Sequence, residues 1–164
     1  MKYISSLLLV MVLAIGGAFA KDRVSPHTTV KGDFVTVTYG QPSMKGRTIF
    51  GGLVPYGQVW RTGADEATEI TITKGCMFGG KQVGPGTYTL FTIPEKGEWT
   101  IILNTELKQW GAFSYDQIKN KNVLVAKVPS TKLTTAVETF TIDVKDNGIT
   151  LSWDKTSVFI STQL

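Results

Sequence analysis

Trp60-Arg61-Thr62-Gly63-Ala64-Asp65-Glu66 places one guanidinium within a few residues of two carboxylates. Two kinds of chemistry use such a set. An arginine fork clamps the carboxylate or phosphate of a ligand. Paired acids hydrolyse glycosides when they stand about 5 to 9.5 Å apart across a cleft. Adjacent residues of a regular strand point to opposite faces, so Asp65 and Glu66 share a cleft only where the chain is irregular. The plainer use is a structural ion pair that ties a loop to a sheet, with Arg61 stacked on an aromatic ring. Arg61 is therefore expected to be partly buried and bonded to one of these carboxylates or to loop carbonyls. If it is structural, its truncation strands a buried carboxylate and costs about 3 to 5 kcal/mol.

Trp110-Gly111-Ala112-Phe113-Ser114-Tyr115-Asp116 is the second unusual segment. Aromatic faces beside a carboxylate are how many β-proteins grip sugars: C–H faces stack on the rings while the acid accepts hydroxyl protons. The alternative is a loop whose Trp110 and Phe113 plug one end of the fold. With Arg47, the other arginine of the irregular region, the candidate ligand-binding residues are Arg47, Trp60, Arg61, Asp65, Glu66, Trp110, Tyr115 and Asp116.

Other chemistries find little support. One histidine, one cysteine and no HxxxH or DxDxD spacing leave only carboxylates as metal ligands, so neither a metal nor another cofactor is expected. No G-x-S-x-G turn marks a nucleophile, and the glycine-rich stretches lack the strand-to-helix context of a phosphate loop. His27, after Ser25-Pro26, reads as a solvated or strand-capping residue. Cys76 has no partner for a disulfide and reads as a small buried apolar side chain.

These residues must be held by β-structure. Phe34 to Tyr39 and Thr68 to Thr73 alternate apolar and threonine positions. Cys76-Met-Phe and Lys81-Gln-Val flank Gly79-Gly80, a hairpin turn dipeptide. Further strands are predicted over 87–93, 99–103, 123–128, 137–144, 149–153 and 158–160, with Asp146-Asn147-Gly148 turning the last long pair. Trp99 and Trp153 fall on alternating strand positions and read as core. Helix is confined to a short candidate near 105–109 or 114–119. The pattern predicts an all-β, single antiparallel β-sandwich or jelly-roll-like domain of about nine strands. The stretch from Tyr39 to Ala67 follows no period, yet its Ile, Phe, Leu, Val and Trp content excludes a disordered linker. Gly40 to Gln58 should lie across one face or end of the sandwich, as binding loops do.

The N-terminus reads as a secretory signal: Lys2, an apolar run from Ile4 to Ala18, then Ala18-Phe19-Ala20 as the cleavage site. The run is shorter than the roughly 20 residues a membrane-spanning helix needs. Residues 1–20 are thus expected to be removed, leaving 21–164 as one β-rich domain in the periplasm or outside the cell, with no stable membrane span. Of the 17 Lys and Arg only Lys2 precedes Lys21, so 16 face 13 Asp and Glu, a formal charge of +3. That weak, scattered excess argues against a nucleic-acid partner.

YGQPSMKGRTIFGGLVPYGQVWRTGADEAT, GTYTLFTIP, EWTIILN and QWGAFSYD together resemble the secreted bacterial family known as domain of unknown function 2911, over roughly Val24 to Ser161. The resemblance implies an exported β-rich domain without an established activity, and it supplies no catalytic residues. Where the family often carries Arg-Pro-Ser, this chain has Gln41-Pro42-Ser43. The leading expectation is a non-catalytic binding module for a glycan or another small envelope or extracellular ligand. A carboxylate-dependent hydrolase and a structural envelope protein are the alternatives.

Overall fold

The computed structural model describes residues 22–164. The secretory signal read at residues 1–20 lies outside them. Nine strands form one antiparallel sheet: β1 (His27–Lys31), β2 (Val35–Gly40), β3 (Glu69–Ile72), β4 (Cys76–Phe78), β5 (Lys81–Val83), β6 (Gly86–Ile93), β7 (Glu98–Asn104), β8 (Asn122–Lys145) and β9 (Gly148–Gln163). Their order is β1-β2-β3-β6-β7-β8-β9-β4-β5. The expected all-antiparallel, nine-strand architecture is therefore present, as a single sheet that does not close into a barrel. A short helix, α1 (Tyr115–Ile118), lies within the second helical candidate and continues past it into a 3-10 turn at Lys119–Lys121. Among the described residues no helix is long and apolar enough to cross a membrane.

Two details differ from the sequence reading. The four short strands predicted between 123 and 160 are two long ones, β8 and β9, and β1 was not foreseen at all. The first follows from register. The pairing of β8 with β9 slips between Lys132 and Val137 and again between Val137 and Thr141. Bulges of this kind bend a strand without ending it, so one strand serves two regions of the sheet. Leu124, Ala126 and Val128 point into the core from its first half, and Phe140 and Ile142 from its second. β1 escaped notice because its burial does not alternate between buried and exposed: HTTVK reaches the sheet as an edge strand, with no residue fully covered.

At the slip, backbone groups that the ladder leaves free find other partners. The Glu138 carbonyl accepts the Met44 N–H at 2.8 Å and the indole N–H of Trp153 at 3.1 Å, while the Phe140 N–H donates to the Pro42 carbonyl at 2.9 Å. Thus the irregular segment leaves β2 and runs beside the second half of β8. It then drops Ile49, Phe50 and Val54 into the core. Phe50, Trp60, Trp99, Phe140 and Trp153 meet there as one aromatic cluster, with centroids 4.9 to 6.2 Å apart. Edge-to-face geometry predominates, as ring quadrupoles favour. Trp99 and Trp153 are core residues, as read from sequence.

Cys76 is likewise buried, and burial pushes its thiol above the ordinary range, away from the reactive thiolate. The predicted Gly79-Gly80 turn joins β4 to β5 with both glycines at positive φ, 56° and 81°.

Tyr39 ties the two ends of this arrangement. Its hydroxyl accepts the Ile142 N–H at 2.9 Å and donates towards the Ile142 carbonyl at 3.4 Å, inside the core. Tyr39→Phe leaves a buried N–H without its acceptor and is expected to cost about 1 to 3 kcal/mol in urea unfolding. A loss below about 0.5 kcal/mol would show that this bond contributes nothing net.

Candidate functional site

The chain between β2 and β3 is built on hydroxyls and carbonyls. Trp60 N–H donates to the Thr92 carbonyl at 2.7 Å and Thr92 N–H returns to the Trp60 carbonyl at 3.1 Å, so Trp60 is stitched to β6. The Thr68 hydroxyl donates to the Thr62 carbonyl at 2.6 Å, and the Thr62 and Thr92 hydroxyls meet at 3.0 Å. These bonds hold Thr62 and Asp65 at φ of 55° and 62°, a left-handed conformation that a β-branched residue adopts only under constraint. The chain at 65–66 is therefore irregular in the way that lets neighbouring carboxylates reach one partner.

That partner is His27, at the start of β1. Its Nε2 lies 3.4 Å from Asp65 Oδ2 and 3.4 Å from Glu66 Oε2. Asp65 Oδ2 also accepts the N–H groups of Val24 at 3.1 Å and Ser25 at 3.0 Å. Arg23 grips Glu66 through Nε at 2.8 and 3.0 Å and through Nη2 at 2.8 Å. Both acids thus dock the N-terminal arm. His27 is half-buried in this clasp rather than solvated. Room for it comes from Gly40: a Cβ there would stand 2.9 Å from His27 Nε2 and 2.3 Å from the Ala64 carbonyl oxygen. Arg23 and His27 carry no local signal for this role, since their partners lie 38 to 43 residues away.

Arg61 is half-buried and bonds to a loop carbonyl, one of the two outcomes expected of it. Its Nη1 donates to the Asp65 carbonyl at 3.0 Å, and its guanidinium lies 5.6 Å from the Phe113 ring centre. The Gly111 N–H donates to the same carbonyl, also at 3.0 Å. Gly111 has φ 73°, and a Cβ on it would crowd Phe113 and Arg61. The two segments singled out in the sequence therefore meet, through Asp65, Arg61 and the 110–113 turn, with a further bridge between Glu66 and Trp110. Burial holds the Arg61 guanidinium below its ordinary range, an effect that Asp65 partly offsets.

Around Arg61 run two adjoining grooves. One, of about 350 Å³, is walled by Arg47, Arg61, Asp65, Trp60, Lys45 and Leu53, with Val24 and Ser25 of the arm at its rim. The other, of about 230 Å³, continues past Leu53, Val54, Trp60 and Arg61 to Ala112 and Phe113. Arg47 donates to the Met44 and Ser43 carbonyls at 2.9 and 2.7 Å. Trp110 is half-buried beside the Glu66 backbone. Tyr115 and Asp116 stand elsewhere. The Tyr115 ring packs on Phe91 at 5.2 Å and its hydroxyl accepts Asn122 Nδ2, whereas Asp116 is exposed and pairs with Lys119 at 3.2 Å. Phe113 is 75 % exposed, so it plugs nothing. A third depression of about 370 Å³, between Tyr56, Lys96, Lys132 and Asp154, lies apart from these residues and mixes opposite charges. No group of His, Cys, Asp or Glu among the described residues is disposed to hold a metal ion.

Two outcomes follow from this geometry. The Asp65 carboxylate is served by the arm, not by Arg61, and its carbonyl keeps the Gly111 N–H when Arg61 is lost. Arg61→Ala is therefore expected to cost about 1 to 2 kcal/mol in urea unfolding, the value of a lost hydrogen bond rather than of a stranded charge. A loss of about 3 kcal/mol or more would restore the stranded-carboxylate account. The second outcome concerns pH. Burial pushes the Asp65 carboxyl up, but the Ser25 and Val24 N–H groups and His27 outweigh it and hold it below its ordinary range. Arg23 does the same for Glu66 against a smaller effect of burial. Groups depressed in the folded state stabilise it above their unfolded values, near pH 4, and that contribution is lost as pH falls through the depressed values. Between pH 6 and 3 the wild type should lose more stability than the double variant Asp65→Asn/Glu66→Gln. Parallel losses would remove these acids from the docking of the arm.

The chain matches the family described as protein of unknown function (DUF2911) over residues 22–162. No curated protein and no solved structure matches it. With nearly all of the described chain covered by that match, the protein belongs to the DUF2911 family.

Proposed function

We propose that this protein is exported and acts as a non-catalytic binding module for a glycan or another small envelope or extracellular ligand. The observation that carries the reading is the pair of grooves sharing Leu53, Val54, Trp60 and Arg61. The shared residues make the two grooves one continuous track, lined by the apolar Leu53, Val54 and Trp60 and by the cationic Arg61, with Arg47 in the larger part. Such a lining suits a ligand with both apolar ring faces and polar substituents. Apolar C–H faces lie against Leu53, Trp60 and Phe113, and polar substituents meet Arg47 and Arg61.

The hydrolase alternative needs one carboxyl to stay protonated near neutral pH and donate to a leaving group. Asp65 and Glu66 do lie close enough to share one partner, but both are held below the ordinary carboxylate range. The N-terminal arm also takes up Asp65 Oδ2 and both Glu66 carboxylate oxygens. The binding reading asks nothing of their protonation.

A thermal-shift screen of the exported protein against neutral and acidic glycans, small acids and metal ions tests it. A ligand at a hundred times its Kd stabilises the fold by about 2.7 kcal/mol, which raises Tm by several degrees. Leu53→Trp fills the shared middle of the track from an exposed turn position. It should leave stability within about 0.5 kcal/mol of wild type while abolishing the shift. A hit that survives Leu53→Trp would place binding elsewhere, and the absence of any hit would favour a structural role.

A further inference from the structure

The larger groove carries an excess of positive charge that the protein itself balances only in part. Three cationic residues wall it, Lys45, Arg47 and Arg61, and the acid among its lining residues is Asp65. Asp65 is already committed: its Oδ2 takes the Val24 and Ser25 N–H groups and faces His27. Among the described residues, neither Lys45, Arg47 nor Arg61 has a carboxylate within ion-pair distance. Arg47 and Arg61 are steered by neutral carbonyls instead, those of Ser43, Met44 and Asp65. The other acid nearby, Glu138, spends an oxygen on the Lys45 N–H and is not part of the groove wall.

Carbonyl oxygens orient a guanidinium without neutralising it. A half-buried arginine facing a cleft, its charge only partly offset as that of Arg61 is by Asp65, is stabilised by an anion that enters the cleft, and its planar fork matches a carboxylate. The apolar part of the lining restricts what the anion is attached to. Leu53 and the small exposed part of Trp60 offer apolar contact in the same groove as the cations, and the groove runs on into the second one rather than ending. The ligand therefore carries its carboxylate on a ring with an apolar face and continues beyond that ring.

Resting on the binding reading above, we propose that the track is specific for acidic glycans, with the carboxylate of a uronic-acid-type sugar held between Arg47 and Arg61 and its ring against Trp60 and Leu53. Lys45 adds long-range attraction without fixing orientation.

Calorimetric titration of the exported protein with three probes tests this: a uronic-acid trisaccharide, the neutral hexose trisaccharide of the same linkage, and inorganic phosphate. The uronate should bind at least about tenfold tighter than the neutral sugar, and its affinity should fall several-fold from low to high salt, as exposed charge contacts do. Arg47 is exposed and its side chain touches only carbonyls of its own turn, so Arg47→Gln should fold normally. It should lose about tenfold of the uronate affinity, the effect of one charge-assisted contact, and a clearly smaller factor of the neutral sugar's. Lys45→Gln, made in parallel, should lower the salt dependence with a smaller loss of affinity. Equal binding of the two sugars, unaffected by Arg47→Gln but blocked by Leu53→Trp, would overturn the acidic preference and leave the binding module standing. Phosphate binding as tightly as the uronate would reduce the site to a general anion contact and overturn the sugar assignment. If no probe binds, the acidic-glycan inference fails, and a hit of another class in the thermal-shift screen would still keep the broader reading alive.

Discussion

The burial of Trp60 is the interaction on which the candidate site depends. Its ring lies inside the aromatic cluster, stacked on Trp153 at 5.8 Å and set edge-on against Phe50, Phe140 and Trp99. Its backbone is hydrogen-bonded in both directions to Thr92 of β6. An irregular segment has no ladder to satisfy its peptide groups, so its position must come from a few strong anchors. Trp60 is such an anchor, and the residues that follow inherit their places from it. Arg61 emerges at the surface beside the ring, and Thr62 to Asp65 turn back on their own hydroxyl bonds.

A large aromatic cluster also explains why the long strands are bent. Flat strands could not bring Phe140 of β8 and Trp153 of β9 against Trp60 and Phe50 at the same time. The register slips near Val137 supply the bend, and the Glu138 carbonyl released there is not left unsatisfied, because Met44 and the Trp153 indole both donate to it. Among the described residues no buried side-chain polar atom lacks a hydrogen-bond partner. The irregularity of this fold is thus local and compensated, which is what allows a groove to be held open beside a rigid core.

The N-terminal arm adds a second layer of constraint. Arg23, Val24, Ser25 and His27 converge on two adjacent carboxylates, and two of these arm residues, Val24 and Ser25, also form the rim of the larger groove. Asp65 and Glu66, the two adjacent acids singled out in the sequence, thus fasten the groove's edge. Exposed pairs such as Arg23–Glu66 contribute little by themselves. Asp65 is different, because it is buried and its oxygen collects donors from consecutive backbone N–H groups, a geometry that favours the ionised form.

Read alone, the sequence determined the material of the fold: antiparallel strands, their inward residues, the Gly79-Gly80 turn, a single short helix with two candidate places, and the two segments where regularity breaks down. Alternation with period two and turn dipeptides are local signals, written in neighbouring residues, and so they survive without knowledge of the fold. Only the tertiary structure decided that predicted strands fuse into β8 and β9, that Tyr115 turns inward while Arg47 joins Arg61, and that His27 clasps Asp65 and Glu66. These outcomes depend on contacts between residues apart in the chain, as between His27 and Asp65, 38 positions away, and between Tyr115 and Phe91. A side chain's type limits what it can bond to, but which partner it meets is set by how the sheet bends, and bending is a property of the whole sheet rather than of any segment of it.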